Sequence, residues 1–111
     1  MRKMQASQLE LMSSDREDIL RYLKQLVLEA LQDVSTRVYL FGSWARHQEK
    51  RTSDIDIAID PDDTIPNEKW IELRERLEES TIPYRVDLVD LTHADSNIKQ
   101  KVEKKGILWK G

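Results

Sequence analysis

Apolar residues recur at helical spacing near the start of the chain and at two-residue spacing in its middle, and this contrast sets out the elements. Ile19, Leu23, Leu26, Val27 and Ala30 fall on one helical stripe, with Leu20 and Leu31 at its margin. Ser14-Asp15-Arg16-Glu17 reads as a capping box at the head of that helix, because a Ser hydroxyl and a Glu three residues on satisfy two orphan backbone donors reciprocally. The preceding residues lack firm periodicity, which predicts a flexible N-terminal segment over 1–13 and a single domain over 14–111.

The β-branched and aromatic run Arg37–Phe41 predicts a strand that stops at Gly42, and Ser43 to His47 follows as a turn with room for a short helix. From Asp54 to Asp60 the isoleucines alternate with polar or small residues, and Pro61 ends the run, so this is a strand with its Ile face in the core. A helix beginning near Pro66 and Asn67 carries the stripe Trp70, Ile71, Leu73 and Leu77. Tyr84 to Val89 reads as a third strand, with Val86 and Leu88 on one face and Arg85, Asp87 and Val89 on the other. Thr92, with Asp95 three residues on, is the expected cap of a last helix carrying Ile98 and Val102, which Gly106 stops; Ile107-Leu108-Trp109 follows as an edge strand. The expected architecture is one α/β layer structure with helices covering a sheet.

Bulk properties narrow the chemistry. A length of 111 residues sets one domain with a modest core. The formal net charge of -3 excludes action of the whole chain as a polycation on nucleic acid, and the absence of cysteine removes disulfides, thiolate metal sites and cysteine nucleophiles together. No apolar run approaches a membrane span and the first residues lack a signal-peptide core, so a cytoplasmic location is expected. Lys99, Lys101, Lys104, Lys105 and Lys110 form a basic C-terminal region that reads either as a phosphate contact or as a solvated helix face.

The strand parity carries the functional argument. Asp54, Asp56 and Asp60 share one face, and carboxylates one strand repeat apart, about 6 to 7 Å between Cα atoms, raise each other's pKa unless a cation neutralises them. Oxygen-only ligands of this kind suit Mg2+ or Mn2+, although an Asp-x-Asp pair alone reads equally as the polar face of an amphipathic strand. Gly42-Ser43 changes the balance, because a glycine after a strand lets the backbone approach a phosphate and the serine adds a hydroxyl. An anion site and a cation site about ten residues apart describe a metal-triphosphate cradle. Arg46 fits either as a phosphate ligand or as an ordinary surface ion-pair partner.

Gly42-Ser43-Trp44-Ala45-Arg46, continuing through Thr52-Ser53-Asp54-Ile55-Asp56-Ile57-Ala58-Ile59, resembles the signature of the DNA polymerase beta-type nucleotidyltransferase superfamily. The short chain and Pro83-Tyr84-Arg85-Val86-Asp87-Leu88-Val89-Asp90 resemble its minimal nucleotidyltransferases, encoded beside HEPN-domain proteins. The resemblance implies a polymerase beta-like fold, a small mixed sheet covered by helices. It further implies that Asp54, Asp56 and Asp87 are the catalytic and metal-binding carboxylates, with Gly42, Ser43 and Arg46 holding the nucleotide and Asp90 the weaker candidate for the third carboxylate.

The activity it implies is Mg2+-dependent transfer of AMP from ATP to a hydroxyl, a tyrosine of a HEPN ribonuclease toxin, by an antitoxin in a hetero-oligomer, with pyrophosphate released. Nucleic acid is disfavoured as a direct substrate, since the chain has no room for an accessory domain. Two other readings stay open: an idle antitoxin that works by occlusion, with Trp44, Trp70 and Trp109 as apolar surface, and a transferase acting on RNA or a small molecule. The motif commonly continues with glycine after Arg46, and His47 stands there instead.

Overall fold

The computed structural model describes residues 16–111. Residues 1–13, and with them Ser14 and Asp15 of the expected capping box, lie outside the described residues. The elements are α1 (Arg16–Ala30), β1 (Thr36–Phe41), β2 (Ile55–Pro61), α2 (Asn67–Glu78), β3 (Val86–Asp90), α3 (Ser96–Lys105) and β4 (Ile107–Lys110). The strands form one sheet in the order β3-β2-β1-β4, with β1 antiparallel to both β2 and β4, and β2 parallel to β3. The sheet is therefore mixed, as expected. Its parallel pair requires a crossover, which α2 supplies.

Side-chain alternation divides the sheet into two unlike faces. Val38, Leu40, Ile55, Ile57 and Ile59 point to one side, where they meet Ile19, Leu23, Val27 and Ala30 of α1 and Leu73 of α2. Each fully buried aliphatic chain of this kind contributes roughly 1.5–3 kcal/mol, so the α1 stripe anchors the domain. On the opposite face Tyr39 and Ala58 pack with Leu91 and with Val102 of α3 in a smaller core. This second core covers only one end of the face; at the other end Asp56 is part-buried and Asp87 exposed.

Several local expectations change. Ile71 is 48% exposed, because it lies two positions from buried Leu73 and hence about 200° around the helix. The α3 cap is Asp95, whose carboxylate accepts from the Ile98 amide at 2.9 Å, whereas Thr92 is engaged by Asp90. Trp44 is 2% exposed and belongs to the main core, which removes it as apolar surface for a partner; Trp70 and Trp109 are partly buried against the same core. Two lysines of the basic C-terminal region have structural partners: Lys99 lies 3.7 Å from Asp60, and Lys110 donates to the Val34 carbonyl at 2.7 Å. Among the described residues no helix is long and apolar enough to cross a membrane.

Candidate functional site

The site begins where β1 ends. Phe41 pairs with Asp56 across β1 and β2, so the next residue, Gly42, is delivered beside the Asp56 side chain. Gly42 has φ +78, which L-residues rarely adopt, and a Cβ there would lie 2.3 Å from Asp56 Oδ2. Backbone conformation and close approach thus both demand glycine.

The chain then turns without forming the short helix that Ser43–His47 had room for. The Ala45 amide donates to the Gly42 carbonyl (3.1 Å), while those of Arg46 (3.2 Å) and Gln48 (2.9 Å) donate to the Ser43 carbonyl. These are successive tight turns. The Ser43 and Trp44 amides make no hydrogen bond among the described residues, and unpaired N–H groups at a glycine turn are suited to bind an anion.

The turn closes on His47, which has φ +57. A residue with a Cβ pays about 1–2 kcal/mol for that conformation, and this is the position where the sequence departs from glycine. His47→Gly should therefore stabilise the protein by about 1 kcal/mol in a urea melt, after allowance for the greater freedom of glycine in the unfolded chain.

Opposite the turn, Asp56 pairs in register with Asp87 across parallel β2 and β3. Adjacent strands run about 4.8 Å apart, which sets two carboxylates side by side on one face. Burial, reinforced by the charges of Asp87 and Asp54, holds the Asp56 carboxyl above its ordinary pKa, and among the described residues no cation offsets this. Asp54 precedes β2, is exposed, and reaches Asp56 through its charge. Among the described residues no group of three or more His, Cys, Asp or Glu side chains is gathered tightly enough to hold a metal ion as it stands. Mutual repulsion opposes such closure until a cation offsets it.

The remaining expected residues separate. Arg46 is exposed, donates from Nε to Gln48 Oε1 (3.2 Å), and is not brought to the carboxylates. Asp60 shares the face of Asp56 but sits four residues along β2, 7% exposed, with Arg37 at 3.8 Å and Lys99 at 3.7 Å. It is a structural ion pair across the sheet to α3. Asp60→Asn should cost no more than about 1 kcal/mol of stability in a denaturant melt, because both of its cationic partners keep access to solvent. Asp90 Oδ1 accepts from both the amide (2.9 Å) and the hydroxyl (2.5 Å) of Thr92, so it is tied into the turn after β3 rather than into the carboxylate group.

A glycine turn against one carboxylate, with a second carboxylate in register and a third just upstream, matches a known family. The model of "Polymerase beta, Nucleotidyltransferase" matches residues 17–110. The chain belongs to this nucleotidyltransferase family. Its relatives are minimal nucleotidyltransferases, the branch to which it also belongs. They include a protein adenylyltransferase, MntA, of Shewanella oneidensis, 42% identical over 73 residues that make up 65% of this chain and 52% of that protein. This chain thus matches about half the length of that relative. A probable protein adenylyltransferase of Haemophilus influenzae is 29% identical over 98 residues, 88% of this chain and 81% of that one.

Among solved structures, a toxin-antitoxin crystal structure with AMP-PNP is 34% identical, with a TM-score of 0.62, and the match covers 79% of this nucleotidyltransferase chain and 73% of that one. A tri-AMPylated Shewanella oneidensis HEPN toxin in complex with an MNT antitoxin gives 30% identity and a TM-score of 0.56, covering 82% and 71% respectively.

The supports of the site come from distant parts of the chain. Arg16 and Tyr84 both reach Trp44, and Arg16 also reaches Glu49; nothing local marks these pairings, because the partners lie far apart along the chain.

Proposed function

We propose that this nucleotidyltransferase is a protein adenylyltransferase that moves AMP from ATP to a tyrosine hydroxyl of a HEPN-type toxin and thereby acts as its antitoxin. The observation that carries the reading is the pairing of Asp56 with Asp87, with the Gly42 backbone pressed against the Asp56 carboxylate. The named activity of the relatives and the HEPN toxin complex among the similar structures support the acceptor class.

The donor set fits a divalent ion: it offers carboxylate oxygens only, and Asp56 is held above its ordinary pKa by burial and two like charges, a cost that a cation would offset. Asp54, Asp56 and Asp87 would hold Mg2+ or Mn2+. Such an ion, when bound, supplies positive charge to the triphosphate oxygens and lowers the pKa of a nearby hydroxyl. Ser43 and the free amides after Gly42 would bind the β- and γ-phosphates; exposed Arg46 can swing to them only by leaving Gln48. The acceptor oxygen forms a new bond to the α-phosphorus, the bond to the bridging oxygen of the β-phosphate breaks, and pyrophosphate leaves. Asp87, exposed on the open part of the sheet face, would take the hydroxyl proton.

The test combines the full chain, Mg2+, ATP labelled at the α-phosphate and the protein of the neighbouring gene, with Asp54→Asn as control. Label on the neighbour that disappears in the mutant is expected. Toxin protection retained in the mutant without any label would replace the reading with an antitoxin acting by occlusion, and label on RNA would replace it with a nucleic-acid transferase.

A further inference from the structure

Trp44 links the three pieces of chain that carry the site. Its own backbone follows Gly42-Ser43; its indole Nε1 donates to the carbonyl of Ser53 (3.4 Å), the residue before Asp54; and its ring meets Tyr84 edge-on, with centroids 4.9 Å apart, two residues before β3. The indole is buried, and the carbonyl of the same residue takes a side-chain donor from α1.

Arg16 is that donor. From the first turn of α1 its guanidinium donates to the Trp44 carbonyl, pairs with Glu49 at 2.7 Å, and lies 5.7 Å from the Trp44 ring centroid in a cation–π arrangement. A further nitrogen lies 3.3 Å from His47 Nε2, at the residue with positive φ. Only 21% of the Arg16 side chain and 18% of the Glu49 side chain are exposed, and the Glu49 carboxyl is held below its ordinary pKa, chiefly by its hydrogen bond from Arg16. One planar fork thus engages Trp44, His47 and Glu49 together, which a lysine cannot reproduce.

We infer that Arg16 is a positioning residue for nucleotide binding: acting through the Trp44 carbonyl and Glu49, it fixes the turn so that the Ser43 and Trp44 amides stay pointed at the phosphates. This rests on the proposed nucleotide function. Arg16 has no place among the carboxylates, and its effect reaches the ligand through the turn. A misplacement of the amides by about 1 Å is enough for a large loss of binding or rate.

Two readouts on the full-length protein test it. Amide hydrogen exchange follows Ala45, Arg46 and Gln48, whose N–H groups close the turn, and calorimetric titration gives the Kd for Mg-ATP. Arg16→Ala should speed exchange at these amides about tenfold relative to β2 and raise Kd about tenfold, with Arg16→Lys intermediate. If Arg16→Ala fails to fold, Arg16→Lys and Glu49→Gln carry the same comparison. Unchanged turn exchange and a Kd within about twofold of wild type, with only a lower melting temperature, would overturn the inference and leave Arg16 as a general stabiliser. A wild-type protein that does not bind Mg-ATP would sink the nucleotide function, while the exchange data would still decide whether Arg16 fixes the turn.

Discussion

Asp56→Asn is expected to abolish AMP transfer, by roughly 10³-fold or more, while raising the melting temperature of the metal-free protein at pH 7. The two effects have one cause. Asp56 is part-buried beside Asp87, and burial first, then the Asp87 and Asp54 charges, lifts its pKa in the folded state. Below the ordinary carboxylate pKa the group is protonated in folded and unfolded chains alike, and its contribution to stability is fully present. As pH rises toward the folded pKa, the folded protein retains a proton that the unfolded chain has released, so stability falls over that window. Asparagine removes the penalty and with it a charge that the proposed divalent ion would use. Thermal melts at pH 4 and pH 7, with and without Mg2+, check the assignment. Measured against the mutant, wild type should lose stability on going to pH 7 and regain it with Mg2+, since carboxylates such as Glu49 whose pKa is lowered contribute equally to both proteins. A mutant that melts below wild type at pH 7 without metal would show that Asp56 is held by favourable partners rather than by strain among like charges.

Gly42→Ala is expected to reduce transfer by about 10²-fold and to lower stability, the opposite sign from Asp56→Asn. An alanine at φ +78 costs about 1–2 kcal/mol, and its Cβ, 2.3 Å from Asp56 Oδ2, cannot be accommodated unless the carboxylate or the turn moves. Either movement separates the carboxylates from the Ser43 and Trp44 amides, which are proposed to bind the phosphates. A double-mutant cycle isolates the contact. In an Asp56→Ala background the steric part of the Gly42→Ala penalty should vanish and only the backbone part remain, giving a coupling energy between the two positions. Additive stabilities in that cycle would mean that the turn relaxes away from Asp56 at no cost.

The physical origin of each site feature explains which parts were legible. Alternation in Asp54-Ile55-Asp56-Ile57 identifies a half-buried strand and places both its acids on the polar face, because side-chain direction in a strand is fixed locally. The same rule gives Asp60 that face but says nothing about its neighbours. Only the packing of α3 brings Lys99 within 3.7 Å and makes it an ion pair instead of a member of the carboxylate group. Trp44 shows the limit in another form: three tryptophans are equivalent in a sequence, and burial to 2% becomes known only when α1 and the sheet close over one of them.

By itself the sequence determined the elements, the polar strand face, the need for glycine after β1 and the family that these features resemble, since propensity, parity and turn chemistry act over a few residues. Tertiary structure decided the register that sets Asp56 beside Asp87, the burial that raises the Asp56 pKa, and the reach of Arg16 from α1 to the Trp44 carbonyl. Those contacts join residues 31 and 28 positions apart, and strand pairing and core packing alone bring them together.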